Sequence, residues 1–331
     1  MAVPTNAVQT FAMVGIREDL SDVITMTDPT EVPFYSGIKK GSCKNRTPEW
    51  QIDTLAAPDP NNYNIEGDDV TADDGTQPAR IKNIVQLFDK AVTVSSTAQA
   101  VETAGRENEL AYQLVKRGKE MKRDMEARFT GNFASVLGAA GTAGQSAGAE
   151  AYLTTNVDRG ATGANGGYSA GIIAAATDGT TRPATEALLK TVIAKAWNAG
   201  GNPSTIMVGG LMKQKFSGFL GIATQYRENN GVQAAVIIAA ADVYRSDFGL
   251  HSIVPNRFCS RGTGRTPGDI QNNRSALILD MESWMLAYLQ PMKTVELAKT
   301  GHSDKKLMFA ECTLECMDEK KNGILADITI V

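Results

Sequence analysis

The sequence predicts an α+β fold with more than one lobe, and three observations support this prediction. The chain has 331 residues, which exceeds what a single hydrophobic core usually serves. Apolar residues recur at helical spacing for about thirty residues after Gly105, the pattern of one very long helix. Residues 45–97 and 275–331 instead alternate apolar and polar side chains, as strands with one buried face do.

The first 97 residues are predicted to form two extended arms. Apolar residues at helical spacing over 16–24 give way to Pro29 and Gly37, which interrupt a regular element. A two-stranded ribbon is then expected, with strands at 49–53 and 84–94. The residues between these strands, 54–79, include no Lys or Arg but six acids: Asp59, Glu66, Asp68, Asp69, Asp73 and Asp74. Because an isolated ribbon is only marginally stable in water, we expect it to lie against another surface, with Trp50 and Ile52 as contact candidates.

The long helix is predicted to have one apolar and one basic face. Its apolar stripe comprises Leu110, Leu114, Met121, Met125, Phe129, Phe133, Val136 and Leu137. Its other face presents Lys116, Arg117, Lys119, Lys122 and Arg123. Thirty helical residues extend about 45 Å. Solvation alone accounts for the basic face, and the alternative is that this face meets the acidic tip of the ribbon.

A glycine- and alanine-rich loop and a small α/β lobe follow the helix. Residues 138–171 have little to bury and are expected to form a loop with a short strand at 152–154. The lobe spans 183–274. Its predicted elements are helices at 188–197 and 211–220 and strands at 205–209, 236–238 and 243–244.

The last part of the chain is predicted to be a sheet that covers the stripe of the long helix. Strands are expected at 276–279, 284–289 and 308–316, where Cys312 and Cys316 point inward as small apolar residues. Asn322-Gly323 is a strong hairpin signal, so 324–331 is predicted to return along the preceding strand.

Composition excludes several classes of function. A net charge of −4 and a pI near 5.4 argue against a protein that grips nucleic-acid phosphates. The four cysteines form no C-x-x-C pair and the two histidines have no second ligand at metal spacing, so no metal or other cofactor is expected. There is no secretion signal and no apolar run near 18 residues. The sequence therefore favours a soluble protein of a reducing cytoplasm.

Two serines match catalytic motifs by chance. Ser36 and Lys39 fit S-x-x-K, and Lys299 begins a K-T-G, as in serine β-lactamases. Flanking glycines exclude the helix that would present the lysine. Ser146 fits G-x-S-x-G inside the Gly/Ala tract, without the strand and helix that a nucleophile elbow needs. A serine hydrolase using Ser36 or Ser146 stays a remote alternative, and the chain is predicted not to be an enzyme.

Short strings along nearly the whole chain resemble a known family. They are Arg17–Ile24, Pro29–Phe34, Glu49–Gln51 with Asp53, Gly105–Glu107, Leu297–Gly301, Glu311–Glu315 and Asn322-Gly323. With the order of elements, they make the chain similar to major capsid proteins of tailed bacteriophages with the Hong Kong 97-type fold, and more narrowly to the SU-ten-like major head proteins. A tail tube or decoration protein is the alternative within virions.

The resemblance implies a domain plan and a set of partners. The plan is an N-terminal arm at 1–45, an extended loop (E-loop) at 46–97, the spine helix and first part of the peripheral domain at 98–182, an axial domain at 183–274, and the rest of the peripheral sheet at 275–331. The expected partners are further copies of the chain in hexamers and pentamers, with scaffolding, portal and cement or decoration proteins. Packaged DNA would be near without sequence-specific contacts, and no membrane is implied. The shell would assemble in the host bacterial cytoplasm and become part of the virion.

The one-sided charge of the ribbon tip and of the long helix predicts a contact between copies. The acidic tip, defined as Asp68, Asp69, Asp73 and Asp74, is expected to meet a basic surface on a neighbouring copy. The candidate residues of that surface are Lys116, Lys119, Lys122 and Arg123.

Overall fold

The computed structural model of the chain describes residues 26, 28–67, 69, 75, 77–101, 103, 105, 108–219, 242–259 and 274–329. The helices are α1 Pro33–Gly37, α2 Ser96–Ala100, α3 Glu109–Thr130, α4 Ala149–Tyr152, α5 Glu186–Asn198 and α6 Gly210–Ser217. The strands are β1 Lys39–Ser42, β2 Glu49–Ile52, β3 Ala79–Lys82, β4 Gln86–Ser95, β5 Val157–Asp158, β6 Gly167–Ser169, β7 Ile172–Ala174, β8 Thr205–Val208, β9 Val243–Ser246, β10 Gly249–Pro255, β11 Ala276–Leu279, β12 Trp284–Glu296, β13 Ser303–Cys316 and β14 Gly323–Leu325. The helix predicted at 16–24 and the strand predicted at 236–238 lie outside the described residues.

The long helix α3 is real but shorter than predicted. It has 22 residues, and the Asn108 side chain caps its start by accepting a hydrogen bond from the Ala111 N–H at 2.9 Å. Met121, Met125 and Phe129 form its fully buried stripe. The predicted continuation through Phe133, Val136 and Leu137 is wrong. The chain leaves the helix after Thr130, and the side chain of Asn132 then pairs with the backbone N–H and C=O of Ala176.

A four-stranded sheet of order β1-β12-β13-β4 covers that stripe, as predicted for the C-terminal strands. The Phe88 ring on β4 meets the Phe129 ring edge-on at 5.8 Å. Cys312 and Cys316 are buried in the same core. The interface between this sheet and α3 is therefore the main core of the molecule.

The predicted pairing within the ribbon is wrong. β2 pairs with β3, with Trp50 opposite Ile81, whereas the predicted second strand lies in β4 and pairs with β13. The physical reason is burial. Phe88, Val92 and Val94 lie on one side of β4 and pack toward α3, and pairing with β13 places them in the sheet that covers this helix. The two-stranded part is thus short, and a long excursion, 53–78, separates its strands.

The second sheet has the order β5-β14-β11-β8-β10-β9 and packs with α5 and α6 around its own core. The predicted hairpin at Asn322-Gly323 is wrong, because β14 pairs with β11 and β5 instead of β13. Asn322 explains this path. Its buried amide oxygen accepts hydrogen bonds from the indole N–H of Trp284 and the backbone N–H of Asp280, both at 2.9 Å. These bonds fix the segment before β14 beside the start of β12, where the chain passes from one sheet to the other.

The Gly/Ala-rich stretch is packed tightly, contrary to the expectation of a loop with little to bury. Ala147, Ala149 and Ala151 are fully buried, and the predicted strand at 152–154 is wrong because α4 occupies 149–152. A Cβ atom at Gly148 would lie 2.0 Å from the carbonyl oxygen of Gly131. Small residues here permit backbone to pack directly on backbone, which composition alone does not reveal.

Candidate intersubunit contact surfaces

The E-loop excursion is the most exposed part of the described chain. Residues 53–67 are all exposed and have no helix or strand. Leu55 is 99% exposed, and Tyr63 and Ile65 are each 79% exposed. Large apolar side chains grouped on one projection are typical of contact surfaces. The excursion therefore has the character of a segment that is covered by something outside this subunit.

The predicted contact residues of the ribbon divide into three groups. Trp50 is half-buried at the ribbon's base, where its indole N–H donates to the carbonyl of Cys316 at 2.8 Å, so it anchors the ribbon to its own subunit. Ile52 is half-buried beside it. Asp69 is exposed, whereas Asp68, Asp73 and Asp74 lie outside the described residues.

The basic face of α3 is partly engaged within its own subunit. Lys116, Lys119 and Lys122 are exposed, but the Lys119 ammonium lies 3.7 Å from the sulfur of Met26. The guanidinium of Arg123 stacks on Phe258 at 5.0 Å. A cleft of about 170 Å³ between this face and the segment near Met26 is lined by Met26, Asp28, Thr30, Tyr112, Lys116, Lys119, Glu120 and Arg123. The structure thus brings together Lys116, Lys119 and Arg123, with a segment of the same chain beside them.

A buried carboxylate that was not among the predicted contact residues joins three parts of the chain. Glu126 accepts hydrogen bonds from the N–H groups of Phe34 and Tyr35, at 2.8 and 2.6 Å, and from the side-chain amide of Asn256 at 2.6 Å. Burial raises the pKa of Glu126 to about 7, and the three hydrogen bonds oppose that rise. The only sequence signal was an acid directly beside the apolar stripe, after Met125.

The two candidate nucleophiles lack catalytic surroundings in the described residues. Ser36 is exposed in α1, which ends before Lys39. The hydroxyl of Ser146 is fully buried and bonded to Asn83 and Thr313.

The histidines serve other contacts. His251 donates from Nδ1 to the carbonyl of Pro203 and accepts from Ser246 at Nε2, which ties a turn of the small lobe. His302 is exposed. In the described ranges no three His, Cys, Asp or Glu side chains gather as metal ligands, and no helix is both long and apolar enough to cross a bilayer.

Comparison of the sequence with known families gives a match along the chain. The sequence model of the SU10 major capsid protein family matches residues 3–329. The major capsid protein of Escherichia phage Phieco32 is 41% identical over 128 residues, which are 38% of this chain and 36% of that protein. The alignment therefore spans about a third of the length of that curated relative.

Comparison of the structure gives capsid proteins over the full length. The capsid asymmetric unit of Cyanophage A-1(L) matches with a TM-score of 0.67 at 11% identity, covering 95% of this chain and 97% of that one. The capsid of Cyanophage P-SCSP1u matches with a TM-score of 0.59 at 9% identity, covering 97% and 98%. At these identities the likeness concerns the fold alone. It confirms the α+β, Hong Kong 97-type capsid fold predicted from the sequence.

Proposed function

The chain belongs to the SU10 major capsid protein family, and from that premise we propose that copies of it assemble into the icosahedral shell around the double-stranded DNA of a tailed bacteriophage. The family match over residues 3–329 is the observation that carries the proposal. The family is structural, so the prediction that the chain is not an enzyme is confirmed by membership. As a capsid protein, the chain is part of the virion.

Exposure of the E-loop excursion gives physical support for assembly. Fifteen consecutive residues, 53–67, are exposed around Leu55, Tyr63 and Ile65, so the isolated subunit leaves apolar area in water. Burying such area contributes about 25 cal/mol for each Å² removed from water. A closed lattice of identical copies can bury the same loop on every subunit.

The proposed mechanism is geometric. Copies associate into hexamers and pentamers through the small lobe, and the arms reach over neighbours to lock these rings together. The domain plan of the sequence analysis describes this division of labour: arm 1–45, E-loop 46–97, spine and peripheral domain 98–182 and 275–331, and axial domain 183–274. One structural fact refines it, since β11 and β14 join the six-stranded sheet of the small lobe.

Charge complementarity is proposed to set the register between copies. The acidic tip would face the basic surface of α3 on a neighbour, where Lys116 and Lys122 are exposed. Each exposed ion pair contributes about 0–1 kcal/mol, so the effect comes from repetition over many copies. Lys119 and Arg123 already contact Met26 and Phe258, and the acidic tip would have to compete with or add to those contacts.

Other partners follow from the proposed role. Scaffolding and portal proteins would guide assembly in the host cytoplasm, and cement or decoration proteins would bind the finished shell. Packaged DNA would lie inside without sequence-specific contacts, in keeping with a subunit of net charge −4.

Electron microscopy of the expressed full chain tests the proposal. The expected result is closed icosahedral shells, formed alone or with a co-expressed scaffolding protein. Tubes would instead indicate a tail-tube protein, and single particles under both conditions would contradict the proposed function.

A further inference from the structure

The four-stranded sheet ends at β4, whose outer edge faces a cavity. Among the described strands β4 pairs with β13 on one side, and on the other side residues 91–95 line a cavity of about 570 Å³. The opposite wall is formed by α2 and by the first turns of α3. A volume of this size is within the range of sites that bind ligands or peptide side chains.

The lining of this cavity suits apolar side chains. Ala91, Val92, Val94, Ala98 and Val101 supply apolar surface, and Val101 is 58% exposed at the rim. One acid and one base also line the cavity, Glu109 and Arg117, and the Arg117 guanidinium pairs with Glu120. A strand edge beside an apolar cavity is the arrangement used in β-strand addition, where backbone hydrogen bonds bind a peptide and pockets take alternate side chains.

The exposed excursion contains a segment with matching features. Tyr63 and Ile65 are two residues apart, so in an extended strand both side chains point to the same side. Each is 79% exposed. The residues on either side, 54–79, contain no Lys or Arg that would repel Arg117.

The segment and the cavity lie far apart in one subunit. The base of the ribbon is tied to Cys316 at one end of β13 through Trp50, whereas Thr93 on the cavity wall pairs with Lys305 near the other end. Eleven strand residues separate the two points, a distance of about 35 Å at about 3.3 Å per residue. Among the excursion residues that the structure describes, none lines the cavity.

We propose that residues 62–65 of one copy add as a strand to the β4 edge of a neighbouring copy, with Tyr63 and Ile65 filling the cavity. The inference rests on the proposed function, since it requires a lattice of copies. In this arrangement the apolar anchors and the backbone hydrogen bonds contribute most of the binding of the E-loop. The charges of the neighbouring acidic tip then set the register between the two copies.

Cross-linking between two chains that each carry one introduced cysteine tests the contact directly, because the native Cys259, Cys312 and Cys316 are buried. Asn64→Cys places a thiol on the side of the added strand opposite Tyr63 and Ile65, and Thr93→Cys places one on the exposed face of β4, opposite Val92 and Val94. The two variants are co-expressed in a Cys43→Ser background, because Cys43 is half-exposed, and treated with a short bismaleimide. Cross-linked dimers are expected in shells that contain both variants, and none in shells of either variant alone.

The outcomes separate this inference from the proposed function. Shells that form from the mixed chains without cross-linked dimers would overturn the strand addition and leave the capsid role intact. Failure of the unmodified chain to form shells, with or without scaffold, would overturn both.

A pair of matched double variants tests the anchors. Tyr63→Ser with Ile65→Ser should reduce the yield of shells at least tenfold, while the soluble subunit keeps the circular dichroism spectrum of the unmodified chain. Asn62→Ser with Asn64→Ser puts two serines on the opposite side of the same segment and should leave the yield unchanged. Equal yields from both double variants would overturn the role of Tyr63 and Ile65.

Discussion

At the residue scale, the side chain of Glu126 links three separate parts of the chain. Its carboxylate binds the start of α1, and through Asn256 it binds the turn after β10. The Asn256 oxygen in turn accepts from the N–H groups of Phe258 and Cys259. One buried acid on the spine helix therefore positions the N-terminal segment and the end of a small-lobe strand together.

This acid makes stability depend on pH in a defined direction. The folded pKa is about 7 against an ordinary value of 4.5, so between these values the folded state binds more protons than the unfolded state. The free energy of unfolding should therefore fall as pH rises from about 4.5 through 7. The upper limit is about 3 kcal/mol, since one pKa unit corresponds to about 1.4 kcal/mol. Urea unfolding of unassembled subunits between pH 5 and 8 measures it.

Glu126→Gln should remove that contribution, because the amide does not titrate. The control is Glu120→Gln on the same helix, whose carboxylate pairs with Arg117 near the surface and should leave the slope in place. The same pH slope in the unmodified chain and in Glu126→Gln would contradict the assignment.

The residues that could be predicted are those with local signals. Met121, Met125 and Phe129 followed from helical spacing alone, and they form the fully buried part of the stripe. Glu126 and Asn322 could not be predicted, because their partners lie tens of residues away in sequence. A polar residue that is buried only because distant groups satisfy it resembles a surface residue when the chain is read by itself.

At the element scale, strands were located better than their partners. The segments that became β4, β8, β9, β11 and much of β12 and β13 were all predicted as strands. Their pairing depends on long-range burial, and this is why β4 joins β13 and β14 leaves the predicted hairpin. For the candidate contacts, the exposed excursion could be predicted from its charge, whereas the β4 edge beside a cavity emerges only from the assembled sheet.

The acidic tip belongs to this scale because its effect is collective. Replacing Asp68, Asp69, Asp73 and Asp74 by lysine should impair shell formation while leaving the subunit folded, since the reversed charges would face the basic side of α3 on a neighbour. Electron microscopy gives the shell yield, and circular dichroism reports the fold of the subunit.

An isosteric control separates the charge of the tip from its shape. Replacement of the same four residues by asparagine removes the attraction without adding repulsion, so its shell yield should fall between those of the lysine variant and the unmodified chain. Normal shells from the lysine variant would rule out the electrostatic contact.

At the scale of the whole molecule, the chain shares its fold with phage capsid proteins whose sequences are only 9–11% identical to it. Cyanophage A-1(L) capsid covers 95% of this chain at 11% identity. In this chain the fold rests on a pattern of burial: a helix stripe under one sheet, a second sheet with its own helices, and an exposed arm. Few particular side chains are required by that pattern, so function here resides in the surfaces that copies present to each other.

The net charge of the subunit predicts how it meets the DNA that it encloses. Binding to duplex DNA depends on lysine and arginine contacts that release counterions, and it weakens steeply with salt. A subunit of net charge −4 should therefore bind DNA weakly at about 150 mM salt, with no preference among sequences. The lysine variant of the acidic tip provides a matched control, because its four reversals change the net charge from −4 to +4. Fluorescence anisotropy with two unrelated duplexes should show stronger, more salt-sensitive binding for the variant, and tight, salt-sensitive binding by the unmodified subunit would contradict the prediction.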